Sequence, residues 1–290
     1  MLFSNATPRY LPHIKKPELL SMGLSPMSPD SWIETDDEIG RYHRHKLAQR
    51  AQRGDGVYLS QPGSMDAQRE LSALLRTHLL EQPGGHYRET DQGIECSVGE
   101  FSVPYDDEQP LWTSSLWVAD DLIIMQEVDG VYHLTAGSVC CPSRWYLPDK
   151  FGQAMRRIHD PIPGVHETLS PSIDRFFNHL RPERPTVRFN WSLQDHNGLG
   201  DFPDTPRDIR EDMTVYYRSE RQSLVRLPES RAIVFTIRVY SHPLEMLLQQ
   251  EGAMGAMFAA IDASPDAQGE YKDHPEFAPA LARYRKMAEP

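Results

Sequence analysis

The spacing of apolar residues divides the chain into a helical first part, a strand-rich middle, a helix pair and a second strand-rich part. Apolar residues at helical spacing from Ala67 to Leu79 predict a helix that begins after Ser64. The period changes near Gly93, and short apolar runs as far as about Val139 predict strands. Helices, strands, two more helices, strands and a final helix are typical of an α+β fold with an antiparallel sheet.

Proline spacing and polar patterns describe the first 50 residues. Residues 1–34 are rich in Pro, Ser and Met, so they predict an irregular arm. The run Thr35-Asp36-Asp37-Glu38 matches a capping box and predicts a helix as far as about Ala51. On that helix the run His43-Arg44-His45-Lys46 is interpreted as a solvated face.

Four stretches in the middle of the chain are predicted to form an antiparallel meander. Their apolar residues come in short runs bounded by turn signals such as Asp129-Gly130. The predicted strands are about 94–103, Leu116–Val118, Leu122–Met125 and Val131–Val139.

The later strands carry an unusual amount of charge. Thr186–Ser192 alternates so that Arg188, Asn190 and Ser192 share one face, which is polar and needs partners. Ile233–Tyr240 is the most apolar strand and is predicted to be central, yet it contains Arg238. We expect this arginine either at a sheet edge or directed into a cavity that holds an anion.

The segment from Lys150 to Gly164 presents a single histidine. It predicts a short helix that ends at His159 and is stopped by Pro161 and Pro163. A histidine held at such an exit can ligate a metal, with haem iron the leading candidate. It can also be a purely structural residue near the end of the helix dipole, which is the commoner role of a lone histidine. Spacing alone leaves both interpretations open.

Composition narrows the possible partners. The formal net charge is −12, from 42 acidic and 30 basic residues, which argues against nucleic-acid binding. The three cysteines form no C-x-x-C pair and cannot hold an ordinary iron-sulfur cluster; Cys140 and Cys141 are interpreted as buried packing residues. No signal peptide or long apolar segment is visible, so a soluble cytoplasmic protein is predicted. We predict one domain over residues 35–260 and a tail over residues 261–290.

Several separated motifs together resemble the haem-dependent oxidative N-demethylase family, the haem-binding subunit of dimethylamine-oxidising systems. The resemblance covers roughly residues 90–250, and its motifs occur in the family's order. They are Ala136–Cys140, Pro142–Trp145, Lys150–Gly152, Ile158–Pro163, Arg188–Trp191, Arg218–Gln222, Leu227–Pro228 and Phe235–Arg238.

This resemblance implies a PAS-like fold with flanking helices that holds haem b, and it gives candidate roles to seven residues. His159 becomes the proximal iron ligand. The residues implied around the cofactor are Arg218, Arg238 and Asn190, and those implied at the reacting groups are Glu220, Arg221 and Arg188. Which arginine faces the haem propionates and which faces dioxygen stays open. Glu220 is either the carboxylate that holds a protonated amine or part of a charged surface with Arg221.

The resemblance also implies a reaction and its partners. An N-methyl group of a small secondary amine is oxidised with O2 and released as formaldehyde, leaving a primary amine. Electrons come from NADPH through FMN and a 2Fe-2S cluster on partner subunits, since this chain has no thiolate set or G-x-G-x-x-G motif of its own. The alternatives are a non-catalytic haem-binding or gas-sensing module and a hydrolase that uses Ser143, although the chain lacks a G-x-S-x-G elbow.

Overall fold

The protein is an α+β structure built on one large antiparallel sheet. A computed structural model describes residues 7–15, 23–158, 170–272 and 274–288. The large sheet has seven strands in the order β1-β8-β9-β10-β6-β7-β2, and a small sheet has the order β3-β4-β5. The strands are β1 Ser25–Pro26, β2 Tyr58–Ser60, β3 Tyr87–Glu89, β4 Gly93–Cys96, β5 Phe101–Pro104, β6 Asp121–Val128, β7 Val131–Ser138, β8 Thr186–Gln194, β9 Tyr216–Arg226 and β10 Ile233–Pro243.

Helices flank both faces of the large sheet. The described α-helices are α1 Pro12–Lys15, α2 Ile39–Arg53, α3 Met65–Leu80, α4 Pro110–Ser115, α5 Leu147–Lys150, α6 Met155–Ile158, α7 Ser170–His179, α8 Ala253–Asp262, α9 Asp266–Tyr271 and α10 His274–Ala288. Within the described residues, no helix is both long enough and apolar enough to cross a membrane.

Strand β10 is central, as predicted, because it pairs with β9 on one side and β6 on the other. Its alternating side chains divide the sheet into two faces. We call the face that carries Ile237, Glu220 and Arg188 the Arg188 face. The opposite face, which carries Arg238 and Arg221, is the Arg238 face.

Each face has its own apolar core. On the Arg238 face, α3 and the segment around Trp32 pack against β6 and β10, while α8 and α10 pack against Trp191 and Tyr217. On the Arg188 face, Ile123 and Leu224 of the sheet pack against Phe177 of α7 and against residues of α5 and α6.

The predicted capping box at Thr35–Glu38 is wrong, although the helix itself is confirmed. The Thr35 hydroxyl donates to Gln82 Oε1 at 2.8 Å, and the Glu38 amide donates instead to Asp36 Oδ1 at 3.0 Å. A long-range partner therefore binds the Thr35 hydroxyl, and the Glu38 carboxylate accepts from Arg41 of the same helix at 3.0 Å.

The predicted solvated face on α2 is also wrong. Lys46 is fully buried, and its Nζ donates to the carbonyls of Ser115 at 2.8 Å and Asp120 at 2.5 Å. His45 contacts the Cys140 carbonyl at 2.8 Å. His45 and Lys46 thus contact backbone carbonyls of neighbouring segments, and only Arg44 of this run is exposed.

Three further segments differ from the predicted elements. Leu116–Val118 is not a strand; it follows α4 as a turn, because Leu116 N bonds back to Trp112 and Thr113. The segment that begins at Lys150 is broken by Gly152, at φ +74°, into α5 and α6. Residues 261–290 contain α9 and α10, and Phe277 of α10 is fully buried.

Candidate functional site

A stripe of polar side chains crosses two strands on the Arg188 face. The antiparallel register places Arg188 opposite Gln222, Asn190 opposite Glu220 and Ser192 opposite Arg218. All six therefore point to the same side of the sheet, because side chains directly opposite in a ladder share a face. The sequence predicted the alternation of β8, whereas the partner residues come from a strand about 30 residues further on.

Glu220 is the carboxylate at the centre of this stripe. It is 7% exposed, and its Oε2 accepts hydrogen bonds from Asn190 Nδ2 at 3.3 Å and Gln222 Nε2 at 2.8 Å. Its Oε1 accepts from Arg218 Nε at 3.3 Å. Burial by itself raises the pKa of Glu220, but Arg218, Lys272 and the amide hydrogen bonds outweigh it and lower the pKa below the ordinary value. The group is therefore an ionised carboxylate at neutral pH.

Arg218 forms its hydrogen bonds with groups of the protein itself. It is fully buried, and besides Glu220 it donates to the carbonyls of Cys141 at 2.6 Å and Leu199 at 2.8 Å. Those carbonyls come from two separate loops. Arg218 thus joins the loops to β9, and its donors are occupied by groups of the chain itself.

Arg188 stands in a different position. Its Nε is buried and has no hydrogen-bond partner among the described residues. Burial lowers the pKa of the guanidinium, while the Glu220 carboxylate raises it. The residue as a whole keeps accessible surface. A buried guanidinium with an unpaired donor, on a residue that keeps some accessible surface, is well suited to bind an anionic or strongly accepting group.

An apolar surface continues the stripe across the sheet. Phe235 and Ile237 lie on central strand β10, yet both keep accessible surface. Ile158 and Phe176, also partly accessible, pack against the same cluster. One face of the sheet therefore joins a cationic polar stripe to an apolar surface.

The other two predicted arginines lie on the Arg238 face. Arg221 donates to the carbonyls of Trp32 at 2.9 Å and Ser31, and it lies 3.4 Å from Glu34. Arg238 is fully buried and pairs with Asp36 at 2.5 Å.

This geometry corrects the expectation for Arg238, which is neither at an edge nor directed at an anion in a cavity. Its guanidinium also lies over the ring of Tyr42, 3.8 Å from the ring centre. The structure does not bring Arg221 or Arg238 together with Arg188, Asn190, Arg218 and Glu220. His159 lies outside the described residues.

Sequence reasoning missed Lys272, which reaches the stripe from the segment between α9 and α10. Its Nζ donates to Asn190 Oδ1 at 2.8 Å and to the Trp191 carbonyl at 2.9 Å. No local pattern marks this lysine, because the contact joins residues 82 positions apart. Only the placement of the C-terminal helices beside β8 discloses it.

The buried cysteines do not provide a metal ligand of thiolate type. Cys140 and Cys141 are unpaired and buried, as predicted, and burial raises the pKa of both thiols. Asp121 accepts hydrogen bonds from their two amides at 2.9 and 2.8 Å. No cluster of three or more His, Cys, Asp or Glu residues suited to a metal ion occurs in the part of the chain that the structure describes. A haem iron needs no such cluster, because the porphyrin supplies most of its ligands.

These features define an α+β protein whose sheet carries a stripe of charged and amide side chains beside an apolar surface. A family model described as haem-dependent oxidative N-demethylase, alpha subunit-like, matches residues 23–282. The chain therefore belongs to this family.

Proposed function

We propose that this chain is the haem-binding, catalytic subunit of an oxidative N-demethylase that acts on a small secondary amine. The family membership supports haem dependence and oxidative demethylation. The observation that carries the proposal to this chain's own residues is the buried Nε of Arg188, which has no hydrogen-bond partner among the described residues, on the same face as the partly accessible Phe235 and Ile237.

The residues present fit a haem. The apolar surface would suit the porphyrin ring, and Arg188 would donate to a propionate carboxylate of the cofactor. His159, proposed as the axial ligand, directly follows Ile158, which packs in the apolar cluster of that face. When bound, haem b supplies the activation of O2 and the oxidation of the N-methyl group. The chain supplies orientation, hydrogen bonds and the exclusion of water.

Glu220 is our candidate for orienting the amine. A carboxylate offers about four acceptor positions, and the described donors use three: one on Oε1 and two on Oε2. Oε1 can therefore accept one more N–H. Because Arg188, Arg218 and Lys272 surround this single carboxylate, the site favours a neutral amine over an ammonium ion. A neutral secondary amine has a single N–H to donate.

The remaining predicted residues receive supporting roles in this proposal. Arg218 and Asn190 hold Glu220 in place, whereas Arg221 and Arg238 fasten the N-terminal segment to the opposite face. Counted from β6, the five long strands have the spatial order 2-1-5-4-3, which we propose to be the PAS-like sheet. NADPH, FMN and the 2Fe-2S cluster belong to a partner reductase, and we propose a cytoplasmic location.

Hemin titration followed by an activity assay tests the proposal. We expect a Soret band in the wild type, a changed spectrum in His159→Ala, and the wild-type spectrum in His179→Ala, a control at an exposed histidine. With a chemical reductant, O2 and dimethylamine, we expect formaldehyde above a free-hemin control. No Soret band would overturn the haem proposal. Haem binding without formaldehyde would instead indicate a haem-binding or gas-sensing module.

A further inference from the structure

The segment between α9 and α10 places a buried ammonium group at the edge of the candidate site. Lys272 is 8% exposed. Its Nζ donates to Asn190 Oδ1 at 2.8 Å and to the Trp191 carbonyl at 2.9 Å. Burying a lysine costs free energy unless its donors are satisfied and its charge is compensated. The neighbours of Lys272 must therefore satisfy its hydrogen-bond donors and compensate its charge.

The first neighbour, Asn190, can satisfy Lys272 in only one orientation. The ammonium group only donates hydrogen bonds and the Glu220 carboxylate only accepts them. The Asn190 amide must therefore present Oδ1 to Lys272 and Nδ2 to Glu220, where the Nδ2–Oε2 distance is 3.3 Å. Lys272, Asn190 and Glu220 form a chain of hydrogen bonds with a fixed direction.

The second neighbour, Trp191, belongs to β8, which β1 covers only at Thr186 and Val187. Among the described strands, none pairs with β8 further along that side. Lys272 donates a hydrogen bond to the Trp191 carbonyl and thereby fixes the backbone next to Asn190. The same ammonium group thus holds both the backbone and the side chain of that position.

We infer that Lys272 is a positioning residue for Glu220: by fixing the Asn190 amide, it keeps the Glu220 carboxylate ionised and oriented toward the amine. The inference rests on the proposed role of Glu220 in amine binding. The lowered pKa of Glu220 is consistent with it, since Lys272 is among the causes that outweigh burial. The C-terminal helices then belong to the functional site.

The test measures the protonation of Glu220 in the haem-free protein. The infrared band of the protonated carboxyl is recorded against pH and assigned by its absence in Glu220→Gln. We expect Lys272→Met to move the appearance of this band to higher pH, because a positive charge and a fixed donor are lost. Lys272→Arg should largely restore the wild-type midpoint. Lys286→Met, which removes an exposed lysine of α10, should leave the midpoint unchanged.

Asn190→Ala removes the chain of hydrogen bonds from Lys272 to Glu220 but leaves the bond from Lys272 to the Trp191 carbonyl intact. It therefore tests the first contact without the second. We expect Asn190→Ala to raise the midpoint as well, and the double variant to shift it by less than the sum of the single shifts. If Lys272→Met fails to fold, Asn190→Ala alone decides. An unchanged midpoint in folded Lys272→Met or in Asn190→Ala would overturn the inference.

Activity separates this inference from the proposed function. If the wild type releases formaldehyde, Lys272→Met should raise KM for dimethylamine more than it lowers kcat. If KM rises and kcat falls by the same factor while the Glu220 midpoint is unchanged, Lys272 is only a structural residue. If neither the wild type nor any variant is active but the infrared midpoints shift as expected, the proposed reaction is wrong and the positioning of Glu220 by Lys272 is supported.

Discussion

Buried charges at single residues fall into two groups, and the difference separates stabilising residues from functional ones. Arg218 and Arg238 each pair with a buried carboxylate, although Nε and Nη1 of Arg238 have no hydrogen-bond partner among the described residues. Arg188 has a buried Nε without a partner among the described residues, and burial lowers the pKa of its guanidinium. A side chain that is costly to bury and unpaired is expected where a ligand completes it.

Arg188→Gln should therefore weaken haem binding without destabilising the haem-free protein. We expect unchanged or higher stability in urea unfolding, because an incompletely paired buried charge is removed. Hemin affinity should fall about tenfold or more, the loss of one charge-assisted hydrogen bond. Arg181→Gln, at an exposed arginine preceding β8, is the matched control. A parallel loss of stability and affinity would show that Arg188 is structural.

Asp36→Ala should behave in the opposite way. It leaves the fully buried Arg238 guanidinium without its carboxylate, and removing one partner of such a pair costs about 3–5 kcal/mol of unfolding free energy. Adding Arg238→Met should recover part of this loss. The control, Asp66→Ala, breaks an exposed pair at 3.8 Å and should leave the denaturation midpoint unchanged. If Asp36→Ala matched that control, the buried pair would contribute nothing.

The sequence predicted part of the candidate site through the alternation of residues in β8. The period-two pattern correctly assigned Arg188 and Asn190 to one face of β8. It could not identify the partner strand or the element that covers each face, because both depend on contacts between distant segments. For that reason the motif arginines Arg188 and Arg221 looked equivalent, although the fold separates them to opposite faces. Lys272 had no local signal at all.

Between elements of the fold, buried lysine side chains satisfy backbone carbonyls. Lys46 of α2 donates to the carbonyls of Ser115, the last residue of α4, and Asp120, which precedes β6. Lys272 binds a carbonyl of β8 in the same manner. The sequence analysis interpreted Lys46 as solvated because its neighbours in the run are polar or charged. Periodicity was reliable for elements with an apolar stripe, such as α3, and unreliable for α2, whose buried face is polar.

Lys46→Met should accordingly destabilise the protein by about 2–4 kcal/mol, because two buried carbonyls lose a charged donor. Urea unfolding measures this effect. Lys286→Met, at an exposed position, serves as the control and should unfold as the wild type does. A stability of Lys46→Met within error of the control would restore the interpretation of this run as a solvated face.

On the scale of the whole molecule, two buried histidines join the ends of the chain to the sheet. His13 of α1 contacts the Tyr217 hydroxyl at 2.7 Å and the Ala253 carbonyl at 3.0 Å. His274, at the start of α10, stacks on Trp191. The sequence predicted an arm and a tail here, but the structure packs these described parts against the Arg238 face. Composition could not predict this, since the packing depends on aromatic rings of the sheet.

These two histidines should make the fold acid-sensitive. Burial lowers the pKa of His13 to about 4, against a weaker raising effect of the Ala253 carbonyl. Burial and the nearby Lys272 lower the pKa of His274 to about 4. Between the unfolded pKa near 6.5 and the folded value, the unfolded chain binds more protons, so stability falls as the pH falls through this window. Each histidine contributes roughly 3 kcal/mol of loss at the acid end.

Asp120 has the opposite effect on stability as the pH falls, so the experiment must distinguish it from the two histidines. Burial raises its pKa to about 6 despite Arg238, Arg221 and Lys46, so its ionised form costs stability at higher pH and this cost disappears as the pH falls. Urea unfolding of the wild type and of His13→Gln with His274→Phe, measured from pH 7 to pH 4, isolates the histidines. We expect the double variant to lose less stability on acidification, with His179→Gln following the wild type. Parallel curves for all three proteins would show that the two buried histidines do not control acid stability.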